Sequence, residues 1–129
     1  MNQPHTDTRA LITGGAQGLG LACAQALIAQ GCRQIVITGR DGTKGAAAVG
    51  HLAELGAEAH FIAVDMSDIP AVQDMVNRAS ACIGDVNALV NSAANTGRGS
   101  ILDTTPEQWD AILTPNAKGA FFAMQAFAA

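Results

Sequence analysis

The residues best suited to chemistry form one run, Thr13-Gly14-Gly15-Ala16-Gln17-Gly18-Leu19-Gly20, set between a short apolar segment and a helical pattern. Glycines at such a junction let backbone N–H groups close on a pyrophosphate, and the aligned peptide dipoles of a helix N-terminus favour negative charge there. A Cβ would hold the phosphates away. Position 23 is Cys, so the run does not follow G-x-G-x-x-G; it reads TGxxxGxG. Glycine clusters also serve plain turns and helix caps. Placement between strand and helix points this one to nucleotide binding, through Thr13, Gly14, Gln17, Gly18, Leu19 and Gly20.

About twenty residues beyond such a turn, the end of the second strand selects between dinucleotides. Here it offers Gly39-Arg40-Asp41. An acid at this point accepts hydrogen bonds from a ribose 2′-hydroxyl, whereas a guanidinium stacks on adenine and pairs with a 2′-phosphate. Gly39 removes the acid, Arg40 supplies the cation and Lys44 adds to the positive field, which favours NADP(H). Asp41 keeps NAD(H) as the alternative, and a solvated loop charge is the plain alternative for Arg40. Strand three ends at Val64-Asp65, where Asp65, with Met66 beside it, either accepts from an adenine amino group or caps the next helix. Strand four ends at Asn91-Ser92-Ala93-Ala94-Asn95. Small residues around Ala93 admit a flat ring, and Asn91 bridges neighbouring strand backbones as an architectural residue first.

The elements that must position these groups are legible as short apolar runs alternating with helical patterns. Strands are expected at Ala10–Thr13, Ile35–Thr38, Phe61–Val64 and Ala88–Val90. The first helix shows apolar Leu19, Ala22, Cys23, Ala26 and Leu27 and ends at Gly31. A loop over Gly39–Gly45 leads into an alanine-rich helix that stops at Gly56. Ser67 or Asp68 caps the third helix, which has Pro70 in its first turn, carries Val72, Met75, Val76 and Ala79 on one face, and closes at Gly84. The loop Asn91–Thr104 exceeds the usual two to six or so residues and is a candidate functional loop. A capping box at Thr105-Pro106-Glu107-Gln108 opens the last helix. This pattern is an α/β, Rossmann-like doubly wound parallel sheet in strand order 3-2-1-4. Residues 1–8 are expected as a disordered tail, and 9–129 as an incomplete nucleotide-binding domain.

Composition sets the outer limits. The 129 residues, 49% hydrophobic and 14% charged, suit one folded domain and exclude a disordered chain. Seven basic against eleven acidic residues give a net charge of −4, which disfavours nucleic acid and anionic membrane as partners. Cys23, Cys32 and Cys82 form no CxxC, and His5, His51 and His60 are isolated, so no metal site and a reducing cytoplasm are expected. Met1–Thr8 lacks the apolar core of a signal peptide, and no stretch nears the roughly eighteen apolar residues of a membrane span.

Together the motifs resemble the short-chain dehydrogenase/reductase family, classical type, from Arg9 onward. Thr13, Gly14, Gly18 and Gly20 match its glycine turn, and Asp65 its adenine-contacting Asp. Asn91-Ser92-Ala93-Ala94 stands where the family has Asn-Asn-Ala-Gly. The stretch Asn116-Ala117-Lys118-Gly119-Ala120-Phe121-Phe122 resembles the segment holding a catalytic Asn, here Asn116. The resemblance implies hydride transfer through a nicotinamide between a small alcohol and its carbonyl, and homo-oligomers formed through the last helix once the fold is completed. It also implies a catalytic Ser and Tyr-x-x-x-Lys, and this sequence has no tyrosine. These residues alone are therefore expected to be inactive. The other function class is a noncatalytic dinucleotide-binding module or gene fragment. Pro115 before Asn116 costs about 3 kcal/mol in an ordinary helix, which a helix already kinked there would relieve. Phe121 to Ala128 is apolar around nearly its whole circumference, which implies burial on several sides. Strand four is expected to keep an open edge.

Overall fold

Four parallel strands, β1 (Arg9–Thr13), β2 (Gln34–Gly39), β3 (Glu58–Ala63) and β4 (Ala88–Asn91), lie in the order β3-β2-β1-β4 in the computed structural model, which describes residues 3–129. Between them run α1 (Gly18–Ala29), α2 (Gly42–Glu54) and α3 (Ile69–Ile83). After β4 come α4 (Pro106–Leu113), a π turn (Thr114–Gly119) and α5 (Ala120–Ala128). The expected architecture and strand order are those observed. Thr13 pairs with Thr38 on one side and Asn91 on the other, so β1, β2 and β4 end level at one sheet edge.

Each strand face has its own core, which is why the strands read as unbroken apolar runs. Ala10, Ile12, Ile35 and Ile37 pack under α1 and α2 with Ala24, Ile28, Ala48 and Leu52. Leu11, Val36 and Ile62 pack on the other side with Val72, Met75, Ala79 and Ile83 of α3 and Ala123 of α5. No helix is long and apolar enough to cross a membrane among the described residues.

Several local expectations change. In α1 the buried positions are Gly20, Ala24 and Ile28, not the stripe through Leu19, Ala22, Cys23, Ala26 and Leu27, and Leu19 is 75% exposed. The helix is apolar nearly all round, so periodicity points nowhere, and the smallest residues set which face comes nearest the sheet. Helix α2 starts at Gly42 rather than after Gly45, because Asp41 Oδ1 accepts from Thr43 N (2.9 Å) and Lys44 N (3.1 Å) and caps it. β3 begins three residues earlier than Phe61 and ends before Val64; Glu58 and His60, polar on a half-exposed edge strand, concealed its start. Asp68, not Ser67, caps α3 through Ala71 N. Both bonds of the Thr105–Gln108 capping box form, at 2.8 and 3.1 Å.

The tail expected over residues 1–8 is corrected where it is described; Met1 and Asn2 lie outside the described residues. Pro4–Asp7 form a turn, with His5 N donating to Gln30 O (3.1 Å) and Asn87 Nδ2 to Asp7 O (2.9 Å). The Cys32 thiol is buried and donates to Thr8 O at 3.3 Å, and burial pushes it above the ordinary thiol range. Cys23 is half-buried and Cys82 exposed, and all three thiols are free.

Pro115 sits in the π turn. A ring without an N–H cannot continue an α-helical ladder, and a locally widened turn lets it clear the preceding carbonyls. All-round burial of α5 is not observed: Ala123 is fully buried and Phe122 packs on the second core, but Phe121 is 54% and Met124 50% exposed. Among the described residues β4 pairs with β1 alone, which leaves its other edge open.

Candidate cofactor-binding site

The level ends of β1, β2 and β4 open onto a cleft of about 710 Å³, within the range of small-molecule sites. Its first wall is the turn from β1 into α1. The glycines there do different jobs. A Cβ on Gly14 (φ +65°) would lie 2.8 Å from Ala93 Cα, and one on Gly20 would run into the Gly14 carbonyl oxygen, so both let backbone pack on backbone. Gly18 (φ +57°) meets nothing within 4 Å and faces the open cleft. Of the three, only Gly18 leaves the space for ligand that the sequence assigned to the whole run.

Helices α2, α3 and α4 have side-chain caps, whereas α1 has none among the described residues. Its first-turn N–H groups lie at the cleft beside Gln17, Gly18 and Leu19, as an anion would require. Gln17, at the cap position, instead accepts a hydrogen bond from Lys44 Nζ at 3.0 Å.

Besides Gly20, three candidates stand behind the wall rather than in it. Thr13 is 1% exposed; its hydroxyl accepts from Ser92 N (3.1 Å) and Ala93 N (3.2 Å). It holds the β4 loop and does not line the cleft, which corrects its assignment as a cofactor contact. Asn91 accepts from Thr13 Oγ1 and donates to Ala120 O, each at 3.5 Å, and so ties β1 to α5. Asn116 Oδ1 accepts from Asn95 N (2.6 Å) and its Nδ2 donates to Asn95 O (2.8 Å), while Asn95 Nδ2 donates to Ala111 O. The Asn116 side chain thereby fastens the long loop to the π turn, a positioning contact rather than a free group in the cleft.

At the far end of the cleft Arg40 is exposed and has no hydrogen bond or ion pair among the described residues. Asp41, the alternative ribose acceptor, has one oxygen occupied by two N–H groups of α2. Asp65 lines the cleft with Met66; its Oδ1 accepts from Ser67 N at 2.9 Å, and the capping of α3 falls to Asp68 instead. Thr38, absent from the sequence candidates, forms part of the floor. The sequence places it only as the last residue of the second expected strand. Asn95 was also missed as a fastening point, since its partner lies 21 positions away.

The sequence profile described as short chain dehydrogenase matches residues 8–129. The chain belongs to the short-chain dehydrogenase family. Within it, the D-beta-hydroxybutyrate dehydrogenase of Cupriavidus necator is 37% identical over 112 residues, 87% of this chain and 43% of that protein. The crystal structure of a short-chain dehydrogenase from Burkholderia cenocepacia in complex with NADP matches with a TM-score of 0.88 at 36% identity, over 94% of this chain and 49% of that one. A Brucella melitensis 3-oxoacyl-[acyl-carrier protein] reductase in complex with NAD matches with a TM-score of 0.86 at 32% identity, over 94% and 47%. This short-chain dehydrogenase sequence thus spans about half the length of the relatives it matches.

Proposed function

We propose that these residues form the NADP(H)-binding part of a short-chain oxidoreductase that interconverts a small alcohol and its carbonyl. The observation that carries this is the pairing, in one cleft, of an uncapped α1 N-terminus at Gly18 with an unpartnered Arg40. The residues fit the group. First-turn N–H groups of α1 take the diphosphate; Arg40, with Lys44 behind it, takes the 2′-phosphate; Asp65 takes the adenine amino group. Gly14 and Ala93, packed against one another, bring the β4 loop close, so that small residues border the nicotinamide end. The bound nicotinamide gives or takes the hydride. Thr13, Asn91 and Asn116 keep the wall and the long loop in place.

The resemblance implies a tyrosine as the general acid, and the sequence contains none. We therefore assign these 129 residues binding without turnover. The half-exposed Phe121 and Met124 of α5 are assigned to subunit association. Following NADPH fluorescence and absorbance together with a panel of small ketones and aldehydes tests the assignment. Saturable fluorescence change with no NADPH consumption is expected. Sustained consumption by these residues alone, or the lack of any fluorescence change, contradicts it.

A further inference from the structure

Thr13 and Thr38 stand side by side in register at the ends of β1 and β2, and both are 1% exposed. Their hydroxyls have opposite fates. Thr13 Oγ1 is saturated by the Ser92 and Ala93 N–H groups. Thr38 Oγ1 has no hydrogen-bond partner among the described residues, although Thr38 borders the cleft. Its carbonyl is already taken by Gly15 N at 3.1 Å, whereas the buried hydroxyl stays unpaired. Buried polar groups in folded proteins are nearly always paired, so an orphan on a cleft floor points to a ligand atom.

We propose that Thr38 is a base-recognition residue, hydrogen-bonding the adenine ring of the dinucleotide; this rests on the cofactor reading above. The register places Thr38 next to the end of β3: Gly39 pairs with Ala63, Val64 N donates to Gly39 O, and Asp65 follows. Asp65 presents acceptors, and the Thr38 hydroxyl adds a donor. Adenine carries an amino donor beside ring-nitrogen acceptors, so the pair complements its edge. Hypoxanthine, with a carbonyl in place of the amino group, mismatches Asp65. Arg40 reads the 2′-phosphate and Thr38 the base, so the two contributions are separable.

Thr38→Val removes the hydroxyl and keeps the shape, and Thr38→Ser keeps the hydroxyl. AMP, IMP and nicotinamide mononucleotide serve as probes, with calorimetric titration and ligand-free melting as readouts. For Thr38→Val, AMP binding is expected to weaken about tenfold, the scale of one lost hydrogen bond. Nicotinamide mononucleotide binding stays unchanged. The ligand-free melting temperature rises by a few degrees, since an unpartnered buried hydroxyl has gone. Thr38→Ser keeps AMP affinity within about threefold, and IMP binds the parent less tightly than AMP. Unchanged AMP affinity in Thr38→Val overturns the proposal, as does a fall in its ligand-free melting temperature, which would reveal a structural partner. A parent that binds no adenine nucleotide overturns the cofactor reading itself, a result distinct from either.

Discussion

Replacing Arg40 with Asp is expected to invert the order in which the two dinucleotides bind. NADPH should bind more tightly than NADH to the parent and less tightly to the variant. A charge-assisted hydrogen bond to a phosphate contributes about 1.5–3 kcal/mol, or roughly 10- to 150-fold in affinity. Asp at the same point adds repulsion against the 2′-phosphate and supplies an acceptor for a free 2′-hydroxyl. The neighbouring charges do not substitute for Arg40. Lys44 is hydrogen-bonded to Gln17, and Asp41 is held as the cap of α2. Because Arg40 is exposed, the parent's preference for NADPH should also shrink as ionic strength rises. Fluorescence titrations of both dinucleotides with both proteins measure the ratio. An unchanged ratio returns Arg40 to the role of a solvated surface charge.

The second large effect is on stability. Gly20→Ala adds a methyl to a helix, a change that normally stabilises by up to about 1 kcal/mol. Here the sign reverses, because the new Cβ runs into the Gly14 carbonyl oxygen and meets Gly15 Cα at 3.1 Å. Neither is the far end of a flexible side chain, so relief requires α1 to move away from the turn, which also disturbs Gly14 against Ala93. A loss of about 3–5 kcal/mol is expected, in the upper tail for single substitutions. Two controls isolate the cause. Gly50→Ala, in the interior of α2 with nothing within 4 Å, should be neutral or stabilising. Gly18→Ala, with open space but φ +57°, should cost about 1–2 kcal/mol in backbone strain while its methyl obstructs the cleft. Urea denaturation of the three variants checks the order. Comparable stability of Gly20→Ala and the parent would mean that α1 does not sit as close to the turn as the structure has it.

The succession of strands and helices was legible because buried parallel strands leave unbroken apolar runs and glycine ends the helices at Gly31, Gly56 and Gly84, all with positive φ. What escaped was information that resides in contacts. Nothing in the periodicity of α1 separates Leu19 from Gly20, since apolar residues lie on every side and only proximity to the sheet distinguishes them. Asp41 accepts from two N–H groups of α2 and Asp68 from one of α3, whereas Asp65 accepts from Ser67 N ahead of α3, an assignment that spacing alone does not make.

The candidate site shows the same division. Gly18, Gln17, Arg40, Asp65, Met66 and Ala93 line the cleft as their positions after strands suggested. Thr13 and Gly20 are in the same motif, but their work is to hold backbone against backbone. A motif records which residues the site needs, not which of them touch the ligand. Thr38 carries no motif signal at all, and only its register beside Thr13, with an unpaired hydroxyl, separates it from an ordinary core threonine.

The most direct measurement is an amide-resolved NMR titration of the 15N-labelled protein with NADPH, repeated with NADH. The expected result is saturable shift changes concentrated at Gln17–Gly20, Arg40, Asp65–Met66 and Ala93, with the Arg40 region responding more strongly to NADPH. Changes confined to other surfaces, or none at millimolar NADPH, would contradict the assignment of this cleft as the dinucleotide site.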